Sequence, residues 1–171
     1  MRDMHRLIRY LAYTLEFLVL FMLQEIPGLL PPIWGVRPVL LFPAAITLAL
    51  FEEDLPALFF GIGAGLLCDF GLSGLLGFHA LVLGVLCFFV SHISRSFFQL
   101  NLFTACFTGV WTIALAVGAQ WLFLYYFSYS QPGYAFVHHY APKYGYTLLF
   151  LPLLYLLNRA LFQALRAPDR T

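Results

Sequence analysis

The chain has 171 residues, of which 62% are hydrophobic and 10% charged, with a formal net charge of +1. Its mean hydropathy of +0.86 is far outside the range of a water-soluble domain, so the expected class is an all-α, polytopic membrane protein. A net charge this small says nothing about partners. The distribution of the charge is informative.

The N-terminus, Met1 to Arg9, is basic and runs into an apolar stretch, giving a first span over 7–26. That run is too long for a signal-peptide core and lacks a small-residue cleavage site, so an uncleaved span is expected. Glu16 falls near the middle of it, where an acid costs roughly 2.5–3.5 kcal/mol on insertion scales. It is therefore expected to face the bundle interior, with His79, Gln120 or Thr112 as polar partner, in either a structural clasp or a ligand or partner site. Pro27, Pro31, Pro32 and Pro38 stiffen the following loop. The second span, 39–51, is short. Glu52-Glu53-Asp54 then form a tight turn whose last two or three acids are expected to begin the third helix, at the positive end of its dipole. This triplet is similar to the E-E-x-x-x-R of intramembrane CAAX-type proteases, but the arginine is absent: Pro56 is the last of the three intervening residues and Ala57 stands where it is required.

The third span, 55–70, reaches only ~24 Å at 1.5 Å per residue, short of a ~30 Å hydrocarbon core. Gly61 and Gly65 make a G-x-x-x-G face, and Ala80 and Gly84 a similar pair in the fourth span, 75–90. Such pairs let backbones approach closely in lipid. Gly65→Leu is expected to force helices apart, and Gly65→Ala to be much milder. Between the two spans, Gly71-Leu-Ser73-Gly74 is similar to the G-x-S-G of rhomboid proteases. His79 is only six residues on, and no histidine occurs in the last span, so a glycine turn is the expected reading. The fifth span, 100–126, is ~40 Å long and must tilt, project or kink near Gly109 or Gly118. Seven of the ten tyrosines lie between Tyr125 and Tyr146, beside His138, His139 and Lys143, as an aromatic belt or a docking surface. The last span covers 145–165. Cys68, Cys87 and Cys106 match no metal pattern and read as small core residues.

If all six segments cross, both termini share one side. Arg2, Arg6, Arg9, Arg95, Arg159, Arg166 and Arg170 then lie on that side, and Arg37 and Lys143 on the other. This bias places both termini in the cytoplasm. Architecturally, the expectation is a single compact bundle of six transmembrane helices, several of them short or irregular.

Asp69 is the most individual residue. It ends the third helix at the negative end of that dipole, so it needs another partner. The candidates are amides of the Leu72–Gly77 turn at the start of the fourth helix, a polar group of a neighbouring span, or a partner protein.

Three stretches carry a family resemblance: Arg37-Pro38-Val-Leu-Leu-Phe-Pro43, Gly61-x-x-x-Gly65-Leu-Leu-Cys-Asp69, and Gly74-x-x-Gly77-Phe-x-Ala80-Leu. Together they resemble the MreD family of the bacterial rod-shape (elongasome) machinery. The resemblance implies a non-catalytic cell-membrane subunit without cofactor or metal. It would act with an MreC-like periplasmic coiled-coil protein and, directly or through it, with the MreB-like filament and the lateral peptidoglycan synthases. Nucleic acid is not an implied partner. Asp69, Glu16, Gly61, Gly65, Gly74, Gly77, Arg37 and Pro38 become the structural or partner-binding candidates. The family's fold looks like the S component of energy-coupling-factor vitamin transporters, which makes a small-molecule uptake subunit the alternative function.

Overall fold

The structure is a computed structural model that describes residues 2–29, 31, 35, 37–71, 76–97, 101–126, 137 and 141–165. Among these residues there are six helices and no strand: α1 (Arg2–Glu25), α2 (Leu41–Ala49), α3 (Asp54–Gly71), α4 (Phe78–Phe97), α5 (Leu102–Gln120) continued by a π-helical turn (Trp121–Tyr126), and α6 (Ala141–Ala164). The helices of α1, α4, α5 and α6 contain segments long and apolar enough to cross a membrane.

Successive helices run antiparallel, and side-chain bonds fix their register. Gln24 at the end of α1 accepts the Leu40 amide at 3.0 Å, while Arg9 near its start pairs with Glu52 beyond the end of α2. Asp69 reaches the start of α4, and Ser91, three-quarters along α4, donates to the Glu52 carbonyl at 2.7 Å. The last helix returns to the end where the first began, with the Arg9 guanidinium 5.1 Å from the centre of the Phe162 ring. This is the terminal end of the bundle; the opposite one is the far end.

The centre belongs to α2. All nine of its residues are buried. At ~14 Å it is too short to cross a hydrocarbon core alone, and enclosure by its neighbours removes that requirement. Pro43 falls in its first turn, where a missing N–H costs nothing. The chain enters through Val39, whose amide donates to Thr147 at 3.2 Å. Asn158 of α6 donates to the Ala44 carbonyl at 3.3 Å and to Thr47 at 2.9 Å. The Val39 and Leu40 amides, which precede the helix and have no intrahelical partner, are thus met by side chains, as a water-free interior demands. Around this core the outward faces stay apolar, with Leu81, Phe103 and Leu149 all exposed, as lipid contact requires.

Helix limits follow satisfied hydrogen bonds more than hydropathy. The fourth helix continues past Val90 to Phe97 because Ser91, His92 and Arg95 find acidic or carbonyl partners around the α2–α3 turn. The sixth begins at Ala141, with Pro142 in its first turn. The long α5 has its irregular turn after Gln120, not at Gly109 or Gly118.

Candidate functional site

The α3–α4 hairpin packs more closely than any side chain would allow. A Cβ at Gly65 would overlap the backbone of Ala80 and the His79 carbonyl, and one at Gly61 would stand 2.8 Å from the Leu83 carbonyl oxygen. This corrects the expectation for Gly65→Ala. Because backbone faces the glycine, even one methyl group has no room.

Close approach delivers Asp69 to the first turn of α4. Its Oδ2 accepts from the Gly77 amide at 2.8 Å and the Ala80 amide at 3.4 Å. Its Oδ1 accepts from the His79 amide at 3.2 Å and lies 2.6 Å from His79 Nδ1. Both side chains are buried. The carboxylate is thus placed at the positive end of the α4 dipole, with amides aimed at it. Gly77, at φ +94°, turns the chain through the left-handed region that other residues rarely adopt. His79 Nε2 has no hydrogen-bond partner among the described residues, and its ring lies 5.8 Å from that of Phe42.

A second polar cluster closes the terminal end. Arg9 Nε is 2.6 Å from Glu52 Oε1, and Nη2 donates to Oε2 at 3.1 Å. The Glu52 side chain is 1% exposed. Burial pushes its carboxyl above the ordinary value, and the Arg9 charge and hydrogen bond pull it back. Ser91 also donates to Asp54 at 3.0 Å, and His92 Nδ1 stands 3.1 Å from the same carboxylate. Of the acidic triplet, only Asp54 begins α3. Glu52 is instead a buried counter-ion of Arg9, because the turn tucks it beneath α1.

The sequence matches the profile of one family, described as rod shape-determining protein MreD, over residues 4–165. The chain belongs to the MreD family. It is a rod shape-determining membrane protein. No curated protein and no solved structure matches it.

The remaining candidate residues of this MreD family member are spread through the bundle. Arg37 is exposed, and Pro38 beside it is buried at the entry to α2. Gly74 and Ser73 lie outside the described residues, as do His138, His139 and most of the Tyr-rich loop. Glu16 is buried at 9% exposure, but the expected partners do not reach it. His79 is committed to Asp69, Thr112 donates to the Thr108 carbonyl at 2.7 Å, and both Glu16 oxygens lack a hydrogen bond among the described residues. Depth explains the first mismatch: His79 sits at the far end, Glu16 midway along α1. Among the described residues no three His, Cys, Asp or Glu side chains gather as a metal-ligating group.

Sequence reasoning missed His79 as the partner of Asp69 and Arg9 as the partner of Glu52. The first had a signal. A histidine two residues after a helix-starting glycine lies in the first turn that an acid must reach. The second had none, since the residues are 43 positions apart.

Proposed function

We propose that this MreD family member is a non-catalytic scaffold of the wall-elongation machinery. It holds an MreC-like periplasmic coiled-coil protein and, through it or directly, the MreB-like filament and the lateral peptidoglycan synthases. The observation that carries this reading is the family match over residues 4–165. The wholly buried α2 adds support, because it fills the centre of the bundle, where a transporter S component needs room for its substrate. Both termini are assigned to the cytoplasm, since the terminal end carries the excess of arginine. The whole chain acts as one membrane domain.

In this scheme the Asp69–His79 clasp and the Gly61/Gly65 face give the α3–α4 hairpin a fixed shape, and its exposed outer surface is available to partners. We assign the exposed Arg37, at the entry to α2, to the periplasmic side. The test is co-purification of the tagged chain with the MreC-like protein of its own host, together with rescue of rod shape in a strain lacking the gene. Co-purification and rescue are expected. Rescue failure at normal membrane abundance, with no recovery of the coiled-coil protein, rejects the scaffold.

A further inference from the structure

The start of α2 leaves two backbone amides without a partner. Val39 and Leu40, just before the helix, give their amides to Thr147 and Gln24. The next two, Leu41 and Phe42, meet no backbone acceptor among the described residues, and Leu40 at the N-cap has no side chain that could cap them. Both residues are buried, and buried amides without a partner are rare in native proteins. These two point along the helix axis toward the far end, at the positive end of the α2 dipole.

Three polar side chains from three other helices surround this point, and each is more than nine-tenths buried: His79, Lys143 and Gln120. The His79 ring of α4 lies 5.8 Å from that of Phe42. Asp69 occupies its Nδ1, which leaves Nε2 without a partner. Lys143 of α6 stands one helical turn farther out than Thr147, on the same face, and Thr147 is the residue that holds the Val39 amide. No carboxylate stands within ion-pair distance of Lys143 among the described residues. Gln120 ends the buried face of α5 that includes Ile113, Ala116 and Val117, and its Oε1 has no hydrogen bond. Directly after it comes the π-helical turn, in which the Phe123 ring meets that of Phe78, the neighbour of His79. Such π turns are frequent at functional sites.

We infer that the far end of the bundle holds a phosphate-binding site, built from the Leu41 and Phe42 amides, Lys143, His79 and Gln120.

The donors fix the chemistry. Amides at a helix N-terminus and a lysine ammonium are the common partners of an anion. Here they come from different helices and so from different directions. That suits a tetrahedral group with acceptor oxygens on every side better than a planar carboxylate. With a proton on each ring nitrogen, His79 donates to Asp69 through Nδ1 and to the ligand through Nε2, while the Gln120 amide turns to donate its NH2. Opposing charge is engaged or outside. Asp69 accepts from four donors of the α4 start, and Glu25 is exposed at the end of α1. Arg37, exposed two residues before Val39, adds positive charge at the approach. The group recognised is the phosphate itself, whether free or carried by a lipid headgroup at the membrane surface. The site stands apart from the scaffold contacts proposed above, and neither depends on the other.

The test uses the full chain, delipidated in a maltoside detergent and titrated with inorganic phosphate by phosphorus NMR at constant ionic strength. Saturable binding is expected, with a melting temperature raised by phosphate and unchanged by chloride. Lys143→Met should weaken binding roughly tenfold or more, the loss of one charge-assisted contact. Without phosphate it should melt no lower than the wild type, because it removes a buried unpaired charge. Gln120→Leu should weaken binding severalfold and carries the test where Lys143→Met folds poorly. Phosphatidylglycerol added to the phosphate-loaded chain separates the two sources: displacement of phosphate identifies a lipid headgroup, and no displacement a free anion. Failure to bind inorganic phosphate, or wild-type affinity in a folded variant, overturns the site.

Discussion

At the scale of single residues, the Asp69 carboxylate is the most fully used polar group of the far end. Both of its oxygens accept, each from two donors of the α4 start. Asparagine at this position turns one acceptor into a donor facing amide hydrogens. Asp69→Asn should therefore lose about 1–3 kcal/mol, the cost of buried donors left unmade, and Asp69→Leu should lose more. Thermal unfolding in detergent measures both, and an Asn variant as stable as wild type would show that the cap contributes nothing. The need for a partner at Asp69 was legible in the sequence, since a carboxylate at a helix C-terminus opposes its own dipole. The identity of the side-chain donor was not. His79 had several possible uses, and only the turn at Gly77 decides which group it meets. Glu16 shows the reverse: its placement within the apolar run was legible, but among the described residues no polar group comes to bond it.

Helices follow from apolar runs, but their packing depends on where small residues face backbone. Gly65 meets the backbone of α4, whereas Gly63 has nothing within 4 Å of an added Cβ. Gly65→Ala should cost about 3 kcal/mol, the upper end of overpacking, with Gly63→Ala gaining about 0.5–1 kcal/mol from reduced backbone freedom. A melting-temperature comparison reads the contrast; equal tolerance would mean that the hairpin can open without penalty. The G-x-x-x-G spacing identified this face, but spacing carries no information on whether a neighbour offers a yielding side chain or rigid backbone. Hydropathy also missed the last turns of α4, where polar residues stay helical because the α2–α3 turn supplies their partners. The Arg9–Glu52 pair belongs to the same scale, since it ties α1 to that turn. Arg9→Ala leaves a buried carboxylate unpaired and should cost about 3–5 kcal/mol. The double variant Arg9→Met with Glu52→Leu should recover most of that loss, because apolar side chains of similar size replace a buried pair at little cost. A double variant no more stable than Arg9→Ala alone would assign the loss to stacking of the Arg9 guanidinium over Phe162.

For the whole molecule, the decisive quantity is the side of the membrane on which the terminal end lies. The order of the six helices and the terminal contact between α1 and α6 make the two ends of the bundle chemically different. Among the described residues, Arg6, Arg9, Arg95 and Arg159 lie toward the first, and Arg37 and Lys143 toward the second. Orientation by charge counts arginines and lysines close to the span ends, and here every connection is short. Glu25 and Gln163 are both exposed, at opposite ends. In a background with Cys106 replaced by alanine, Cys68 and Cys87 remain buried and should be silent toward a membrane-impermeant thiol reagent. Glu25→Cys should then label in intact spheroplasts, and Gln163→Cys only after the membrane is opened. Labelling of Gln163→Cys from outside inverts the assignment. Labelling of both from outside would break the six-pass order itself, because the Arg9–Phe162 contact requires that the first and last helices share one end.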